Sequence, residues 1–278
     1  MRLIIFLFIS ALAISTVLGQ GQLSHYKNSE IKPRQVELSK KLKEISGLAL
    51  SEDGRLFAHG DEKGTIYQLD QLTGEIMKEF RIGRKKVEED FEAIAIVGKM
   101  FYLVTSNGDI YEFEEGANNE EVMFHLYKTE LKSKFDVEGL CYDTNTNSLL
   151  LACKEFAGKK IDDSRSIYSF DLEKKKLIEN PKYIISLNKL EKKWDVDNFK
   201  PSAIEQNPTS ETFFILGGKE LVLLELSTDG KVINEMVLNK KLHHQPEGIT
   251  FLKDKTMVIS DEADKDRATL TFYRYHNN

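Results

Sequence analysis

The sequence contains few of the residues that cross-link a chain or mark a familiar active site. Its 278 residues include two cysteines, five prolines and one tryptophan. Two cysteines cannot build the dense disulfide framework of small secreted scaffolds. The signatures G-x-S-x-G, H-E-x-x-H and C-x-x-C are absent from the sequence, as is a glycine-rich phosphate loop. The sequence therefore indicates no standard nucleophile, zinc or nucleotide site and assigns no catalytic residue.

Long apolar runs are also scarce, and the main one stands at the N-terminus. Met1-Arg2 precedes an apolar run from Leu3 to Ile14, and Val17-Leu18-Gly19 follows it. The run is shorter than the roughly 20 apolar residues of a membrane-spanning helix, and its small last residue suits signal peptidase. We predict a signal peptide over residues 1–19, with a membrane anchor as the alternative. A linker over 20–33 and a single domain over 34–278 are predicted to follow.

Neither sign of charge dominates the composition. The chain has 39 lysine and arginine residues and 45 acidic residues, which gives a net charge of -6. Cleavage of the predicted signal peptide would remove Arg2 and change the net charge to -7. A mildly acidic exported protein is a poor candidate for nucleic acid or anionic membrane surfaces. We expect a monomer without a transmembrane anchor after cleavage, located in the periplasm, the cell envelope or the medium. Its expected partner is an unknown small molecule or an envelope protein.

The two cysteines are predicted to be free. Cys141 and Cys153 lie on two predicted strands joined by the turn Asp143-Thr144-Asn145-Thr146-Asn147. Folding this hairpin about its middle places Cys141 opposite position 150, about three residues or roughly 10 Å from Cys153. That separation is too large for a disulfide bond.

A short phrase recurs through the chain at nearly constant spacing. Its copies begin 46, 46, 64 and 45 residues apart, at Glu44 (E-I-S-G-L), Asp90 (D-F-E-A-I), Asp136 (D-V-E-G-L), Lys200 (K-P-S-A-I) and Gln245 (Q-P-E-G-I). Each copy starts a unit of short alternating strands separated by Gly, Asp and Asn turns. A period of this length, filled with short strands, is typical of a β-propeller blade.

The number of units predicts an all-β propeller of five blades, with six as the alternative. The long interval exceeds the others by about 18 residues, too few for four more strands, so we place the excess in polar loops at 156–164 and around 180–198. A helical turn is expected only near Lys189–Lys193. The last unit offers three strands, and Gln35–Leu38 is predicted to supply the fourth and close the ring.

The repeated phrase should form one rim of the central channel. In an antiparallel blade the start of the first strand lies beside the end of the second. Glu92, Glu138 and Glu247 would then converge near the axis and repel one another unless a positive group joins them. A hard cation with oxygen ligands fits, and Ca²⁺ fits better than Mg²⁺. Neutralisation by Lys154 and Lys200 is the alternative that needs no metal, and acids that only bind water or cap strands are a further one.

The same geometry adds other candidates for the rim. Small residues follow each repeated position, as expected where backbones approach closely. His244 lies in the loop before Glu247 and could be a metal ligand or proton acceptor, or part of an exposed polar loop. Trp194 is interpreted as an anchor for a long loop, with a lid over the rim as the alternative. The remaining rim candidates are Ser46, Glu155, Ser202 and Asp261.

These motifs, in this order, resemble the SdiA-regulated (YjiK-like) β-propeller family. The resemblance runs from about Leu42 to Tyr275 and includes S-G-L, D-F-E-A-I, V-E-G-L with a later K-E, P-S-A, Q-P-E-G and S-D. It implies an exported or envelope-associated propeller, close to calcium-dependent propeller hydrolases such as phytase-like esterases and gluconolactonases. Lys200 and Ser202 stand where an acidic repeat would have Asp and Glu, which puts a site of five equivalent donors in doubt.

Two functions remain open on this basis. The first is an exported binding protein whose rim recognises a small molecule or a partner, with Ca²⁺ as the candidate cofactor. The second is a metal-dependent hydrolase of phosphoester or lactone type. In that case Glu92, Glu138 and Glu247 would hold the metal, and Glu155, Asp261 or His244 would transfer protons. Fold resemblance alone does not decide between the two.

Overall fold

The computed structural model describes residues 21–27, 32–85, 87–159, 161, 163–263 and 267–276. The predicted signal peptide, residues 1–19, lies outside the described residues. Within them the chain forms five sheets, antiparallel apart from one short added strand in blade 1, arranged as the blades of a propeller. This confirms the predicted fold class and the number of blades. No helix in the described part of the chain is long and apolar enough to cross a membrane.

Each blade is built around three or four antiparallel strands, numbered here from the axis outwards. The strands of blade 1 are Ile45–Leu50, Leu56–Gly60, Thr65–Leu69 and Ile76–Ile82, with Glu121–Val122 added in parallel, and those of blade 2 are Phe91–Val97, Met100–Thr105, Ile110–Glu114 and Phe124–Tyr127. Blade 3 consists of Val137–Asp143, Ser148–Cys153 and Ser164–Asp171, with Lys176–Leu177 and Tyr183–Ser186 outside. The strands of blade 4 are Pro201–Gln206, Phe213–Gly217, Val222–Leu226 and Val232–Val237, and those of blade 5 are Pro246–Phe251, Met257–Asp261, Thr269–Tyr273 and Arg34–Glu37.

The hydrophobic core lies between neighbouring blades. Phe57 of blade 1 meets Phe101 of blade 2 edge to face at 5.0 Å between ring centroids, and Phe214 of blade 4 meets Phe251 of blade 5 in the same way at 5.2 Å. Burying one such ring stabilises the fold by about 1.5–3 kcal/mol. Apolar side chains that alternate along each strand therefore lie on both faces of a blade and contact the blade on either side. These contacts hold the blades side by side around the axis.

The first and last strands of the domain join as predicted. Arg34–Glu37 pairs antiparallel with the third strand of blade 5, with Arg34 opposite Phe272 and Glu37 opposite Thr269. The Arg34 guanidinium also stacks on the Phe272 ring at 3.8 Å. The ring is thus closed by main-chain hydrogen bonds between the two ends of the chain, and blade 5 gains its outer strand.

The long interval differs from the prediction of polar loops. Around 180–198 it contains the strand Tyr183–Ser186 and an α-helix, Leu187–Trp194, which ends at Asp195 in the left-handed conformation. Tyr183, Ile185 and Leu190 are buried in the core between blades 3 and 4. The helical turn expected near Lys189–Lys193 is confirmed and is longer than predicted. Trp194 packs against the same core, in agreement with its interpretation as an anchor.

Part of the predicted linker, residues 20–33, is packed on the propeller. Gln22–Tyr26 forms a 3-10 helix in which Leu23 and Tyr26 are buried. The buried carboxylate of Glu225 in blade 4 accepts hydrogen bonds from the backbone amides of Gln22, at 2.8 Å, and Leu23, at 2.9 Å. This segment contains too few apolar residues for its packing on the propeller to be predicted from the sequence.

Both cysteines are free and buried, as predicted. Cys141 pairs with Leu150 and Cys153 with Val137, which is the offset expected from the turn. Burial raises the pKa of both thiols, that of Cys153 to about 12. Neutral, enclosed thiols of this kind are packing residues rather than nucleophiles.

Candidate functional site

Every innermost strand carries a β-bulge at the same place. The pairing register shifts by one residue between Phe91 and Ala93 in blade 2, and the other four blades show the same shift at the equivalent position. The extra residue of each bulge is the third position of the repeated phrase, occupied by Ser46, Glu92, Glu138, Ser202 and Glu247. A bulge re-aims one side chain without changing the rest of the strand. The repeat therefore encodes five re-aimed side chains at one mouth of the channel, called here the rim.

The residue after each bulge is small because neighbouring blades touch there. A Cβ on Gly47 would lie 3.1 Å from the Ile94 nitrogen of blade 2, and one on Gly248 would lie 3.1 Å from the Leu48 nitrogen of blade 1. A Cβ on Gly139 would lie 3.0 Å from the Ile204 nitrogen of blade 4. These approaches hold the innermost strands close to one another. The bulged side chains of different blades are consequently brought near one axis.

Glu138 and Lys154 form an ion pair at the rim. The Lys154 Nζ atom donates to Glu138 Oε1 at 2.6 Å and lies 4.0 Å from Asp136 Oδ2. Burial raises the pKa of Glu138, and Lys154 opposes that rise. For Lys154, burial opposes the charged form, but Glu138 and Asp136 more than compensate and leave its pKa raised. One of the two lysines named as possible neutralisers, Lys154, thus pairs with the most buried of the rim carboxylates.

Glu92 and Glu247 are affected by the same crowding. Burial raises the pKa of Glu92 to about 9, and repulsion from Glu138, Asp90 and Glu247 adds to the shift. Burial likewise raises the pKa of Glu247 to about 8, with repulsion from Glu138 adding to it. Both carboxyls are therefore mainly protonated at neutral pH, when they can donate hydrogen bonds. In their ionised forms the three glutamates would repel one another, as expected of acids placed around one mouth.

Blades 1 and 4 contribute hydroxyl groups to the rim. Ser202 is buried and donates to the Pro246 carbonyl of blade 5 at 2.7 Å. Ser46 is also buried, and its hydroxyl lies 3.5 Å from the Glu44 carbonyl. Lys200, which begins the fourth repeat, forms an ion pair with Glu155 of blade 3, and this bond lowers the pKa of Glu155. Lys200 and Glu155 thus pair with each other.

Asp261, His243 and Tyr273 form a separate buried group. The His243 imidazole lies 2.8 Å from Asp261 Oδ2 through Nδ1 and 2.7 Å from the Tyr273 hydroxyl through Nε2. Since a carboxylate only accepts, Nδ1 carries the proton. The His244 backbone amide donates to Asp261 Oδ1 at 3.0 Å, and the His244 side chain is exposed. Sequence reasoning singled out the pair His243-His244 and took His244 as the candidate, because nothing in two adjacent histidines shows which one faces inwards. It missed Tyr273.

The rim does not form a ready metal cage. No group of three or more His, Cys, Asp or Glu side chains in the described ranges is arranged to hold a metal ion. The Lys154 ammonium lies against Glu138, where a cation shared by the rim carboxylates would have to bind. The donor types suit Ca²⁺, but their present arrangement does not fit it unless Lys154 moves away.

Comparisons with known proteins extend the resemblance and the fold. Residues 175–276 match the family model described as SdiA-regulated, which confirms the resemblance from the outer strands of blade 3 through blade 5. No curated protein matches the chain. Among solved structures, glutaminyl cyclase from Myxococcus xanthus is 13% identical, with 88% of this chain and 95% of that one covered at a TM-score of 0.58. A luciferin-regenerating enzyme is 9% identical, with 88% and 98% covered at 0.51. At such identities these likenesses show the propeller fold alone.

Proposed function

We propose that this β-propeller is an exported binding protein whose rim takes up a cationic ligand. The premise is the match of residues 175–276 to the SdiA-regulated family. The observation that carries the proposal is the placement of Glu92, Glu138 and Glu247 on equivalent bulges with one lysine between them. Export rests on the apolar run in residues 1–19, which the structure does not describe.

The charge state of the rim favours a cationic group over an anionic one. Burial, with repulsion from neighbouring acids added to it, raises the pKa of Glu92 and Glu247 and favours their protonated forms. A ligand cation would compensate the repulsion between the carboxylates and make their ionised forms favourable again. Binding would then release protons to the solvent. Affinity should therefore rise between about pH 6 and pH 9, the range in which the two carboxyls lose their protons.

Ca²⁺ is the specific form of this proposal. Carboxylates from three blades and nearby backbone carbonyls are the ligands that Ca²⁺ prefers. Binding requires the Lys154 ammonium to leave Glu138, so Lys154 acts as a built-in competitor for the site. Substitution of Lys154 by methionine keeps much of the side-chain length and removes the charge. That variant should bind cations about tenfold more tightly than the wild type.

The hydrolase alternative has less support from the geometry. Asp261 accepts hydrogen bonds from the His243 ring and the His244 amide, and Glu155 is paired with Lys200. Two of the three groups considered for proton transfer are thus already engaged, and the third, the His244 side chain, is exposed. A general acid or base must reach the substrate with its own proton site free. Binding without turnover is therefore the function that we favour.

The test is thermal unfolding of the mature chain with Ca²⁺, Mg²⁺ or Mn²⁺ at pH 6.5 and pH 8.5. A cation present at about 100 times its Kd should stabilise the fold by about 2.7 kcal/mol, a rise in Tm of roughly 5 °C for a chain of this size. We expect the rise with Ca²⁺ to be larger at pH 8.5. It should be mostly lost in Glu247→Gln and kept in Glu75→Gln, which removes an exposed acid far from the rim.

An unchanged Tm with all three ions at both pH values, in the wild type and in Lys154→Met, would retire the metal form of the proposal. Organic ammonium probes such as spermidine then replace the metals in the same titration, and an equally flat result would retire the cationic ligand as well. Release of product from phosphomonoester, phosphodiester or lactone substrates by the wild type, lost in Glu247→Gln, would instead establish the hydrolase.

A further inference from the structure

The opposite mouth of the channel contains a cavity that the rim does not use. It has a volume of about 480 Å³ and is lined by residues from all five blades at the far ends of the innermost strands. Its apolar lining includes Leu50, Ile96, Phe251 and Leu252. Because every blade contributes, the cavity lies around the propeller axis. Its size and lining are those of a pocket for a small organic molecule.

One carboxyl group lies in this apolar lining. Glu205 stands on the innermost strand of blade 4, three residues beyond the bulged Ser202. Its Oε1 accepts a hydrogen bond from the Gln206 amide at 2.9 Å, and its Oε2 lies 3.5 Å from the buried Thr250 hydroxyl of blade 5. Burial raises its pKa to about 8, against these two hydrogen bonds. The carboxyl is thus fixed in direction at the wall of the cavity.

The other titratable groups around this cavity do not neutralise Glu205. They are Glu52, Tyr142, Lys253 and Lys255, with the neutral Cys141 thiol behind the strand. The Lys255 ammonium lies over the Tyr275 ring at 4.9 Å, and Glu205 forms no ion pair with any residue that the structure describes. A partly buried acid without a basic partner is unfavourable for folding, and such groups are often found in binding sites.

We propose that the mouth opposite the rim is a second ligand site, which binds a small apolar molecule carrying one protonated amine, with Glu205 as the group that receives the amine. The apolar walls would cover the hydrocarbon part, while Glu205 and the Thr250 hydroxyl would orient the ammonium. The carboxyl proton passes to the solvent as the ammonium binds, so the pair is formally Glu205 carboxylate with ammonium, and one proton is released. This site is independent of the rim and of the cation proposed there.

The amine is favoured over other polar groups by charge. A ligand carboxylate would face a second acid in an apolar wall, which costs free energy. A neutral alcohol gains at most one hydrogen bond from the protonated carboxyl. An ammonium converts an unpaired, partly buried acid into a hydrogen-bonded ion pair, and its charge offsets the effect of burial on the pKa of Glu205. The cavity therefore discriminates between alkyl chains of equal length by their head group.

The experiment is isothermal titration calorimetry of the mature protein with hexylamine, hexanol and hexanoate at pH 7 in phosphate and in Tris. We expect hexylamine to bind with release of nearly one proton, seen as different apparent enthalpies in the two buffers. Its Kd should rise about tenfold at pH 6, because Glu205 must first lose its proton. Hexanol should bind at least tenfold more weakly than hexylamine, and hexanoate weaker still.

Variants separate the two mouths. Glu205→Gln keeps the size of the side chain and an acceptor for the Gln206 amide, and should weaken hexylamine binding at least tenfold and abolish proton release. Glu75→Gln, which removes an exposed acid that lines neither mouth, should leave both unchanged. The proposal is overturned if the wild type does not bind hexylamine, if it binds without proton release, or if Glu92→Gln rather than Glu205→Gln removes the binding. The last result would place the amine at the rim and support the function proposed there.

Discussion

Glu92 and Glu138 occupy equivalent bulges but differ in their partners. Glu138 has the Lys154 ammonium at 2.6 Å. The pKa of Glu92 is raised to about 9 because burial and three neighbouring acids act on it and Lys154 compensates only weakly. In the unfolded chain both residues titrate as ordinary glutamates near pH 4.3. The folded state therefore binds an extra proton at Glu92 throughout the range between these two pKa values.

Replacement of Glu92 by glutamine should stabilise the protein increasingly as the pH rises. Below about pH 4.5 both states hold the proton, and the carboxyl brings no penalty. Between about pH 4.5 and pH 9 the folded state must keep a proton that the unfolded state has released, so the wild type loses stability with rising pH. Glu92→Gln cannot titrate, and its gain should reach on the order of 3–4 kcal/mol at pH 7. Urea unfolding from pH 4.5 to pH 9 measures it.

Glu75→Gln is the matched control for this series and should show no such slope, since Glu75 is exposed in a turn of blade 1. A stability difference between Glu92→Gln and the wild type that stays constant with pH would contradict the raised pKa of Glu92.

The recurring acids were predictable from the sequence, but their geometry was not. Spacing and strand order were enough to place Glu92, Glu138 and Glu247 at one mouth. The bulge that re-aims them leaves no signal in a single sequence, because the extra residue looks like any other strand position. The contact of Lys154 with Glu138 depends on ångström-level placement, which strand assignments do not provide.

Regular elements were predicted well where their apolar pattern was strong. The closing strand, expected at Gln35–Leu38, is observed one residue earlier, at Arg34–Glu37. The prediction was wrong for Tyr183–Ser186 and too short for the helix Leu187–Trp194. Both lie in a lysine-rich segment with few apolar residues. The spacing of these apolar residues is that of a strand at first and that of a helix after it. Such a short change of period is difficult to detect in sequence.

The N-terminal 3-10 helix depends on one buried carboxylate. Glu225 is fully buried, and besides the Gln22 and Leu23 amides it accepts a hydrogen bond from Thr212 at 2.9 Å. Glu225→Ala should release the helix and destabilise the protein by about 2–4 kcal/mol, since hydrogen bonds to a charged group contribute about 1.5–3 kcal/mol each and leaving their donors buried is unfavourable. Hydrogen exchange measured by mass spectrometry should show faster exchange at residues 22–26.

Asp229→Asn, an exposed acid on the turn after the same strand, is the control for this variant and should leave that segment as protected as in the wild type. Unchanged protection in Glu225→Ala would mean that Leu23 and Tyr26 hold the helix by apolar contact alone.

A propeller with a closed ring has no free sheet edge between its first and last blades. Here the closure uses a strand from the beginning of the chain, so blade 5 is completed only after residues 34–273 have been made. Leu38, directly after the closing strand, is fully buried with Leu270 and Phe272, and its amide donates to the Ala268 carbonyl at 2.8 Å. Sequence reasoning predicted this closure because the last repeat lacked one strand, a count that does not depend on side-chain detail.

Removal of the closing strand should therefore open the ring. A chain that starts at residue 33 keeps Arg34–Glu37, whereas one that starts at residue 39 loses the strand and Leu38. The second should be less stable than the first by at least about 4 kcal/mol, from one buried leucine and the hydrogen bonds of one strand pair. It should also associate through the exposed edge of Thr269–Tyr273. Urea unfolding and light scattering measure the two effects.

A peptide of residues 32–39 added to the shorter chain should restore stability and the monomer, whereas the same residues in scrambled order should not. Equal stability of the two chains would show that contacts between the blades close the ring without this strand.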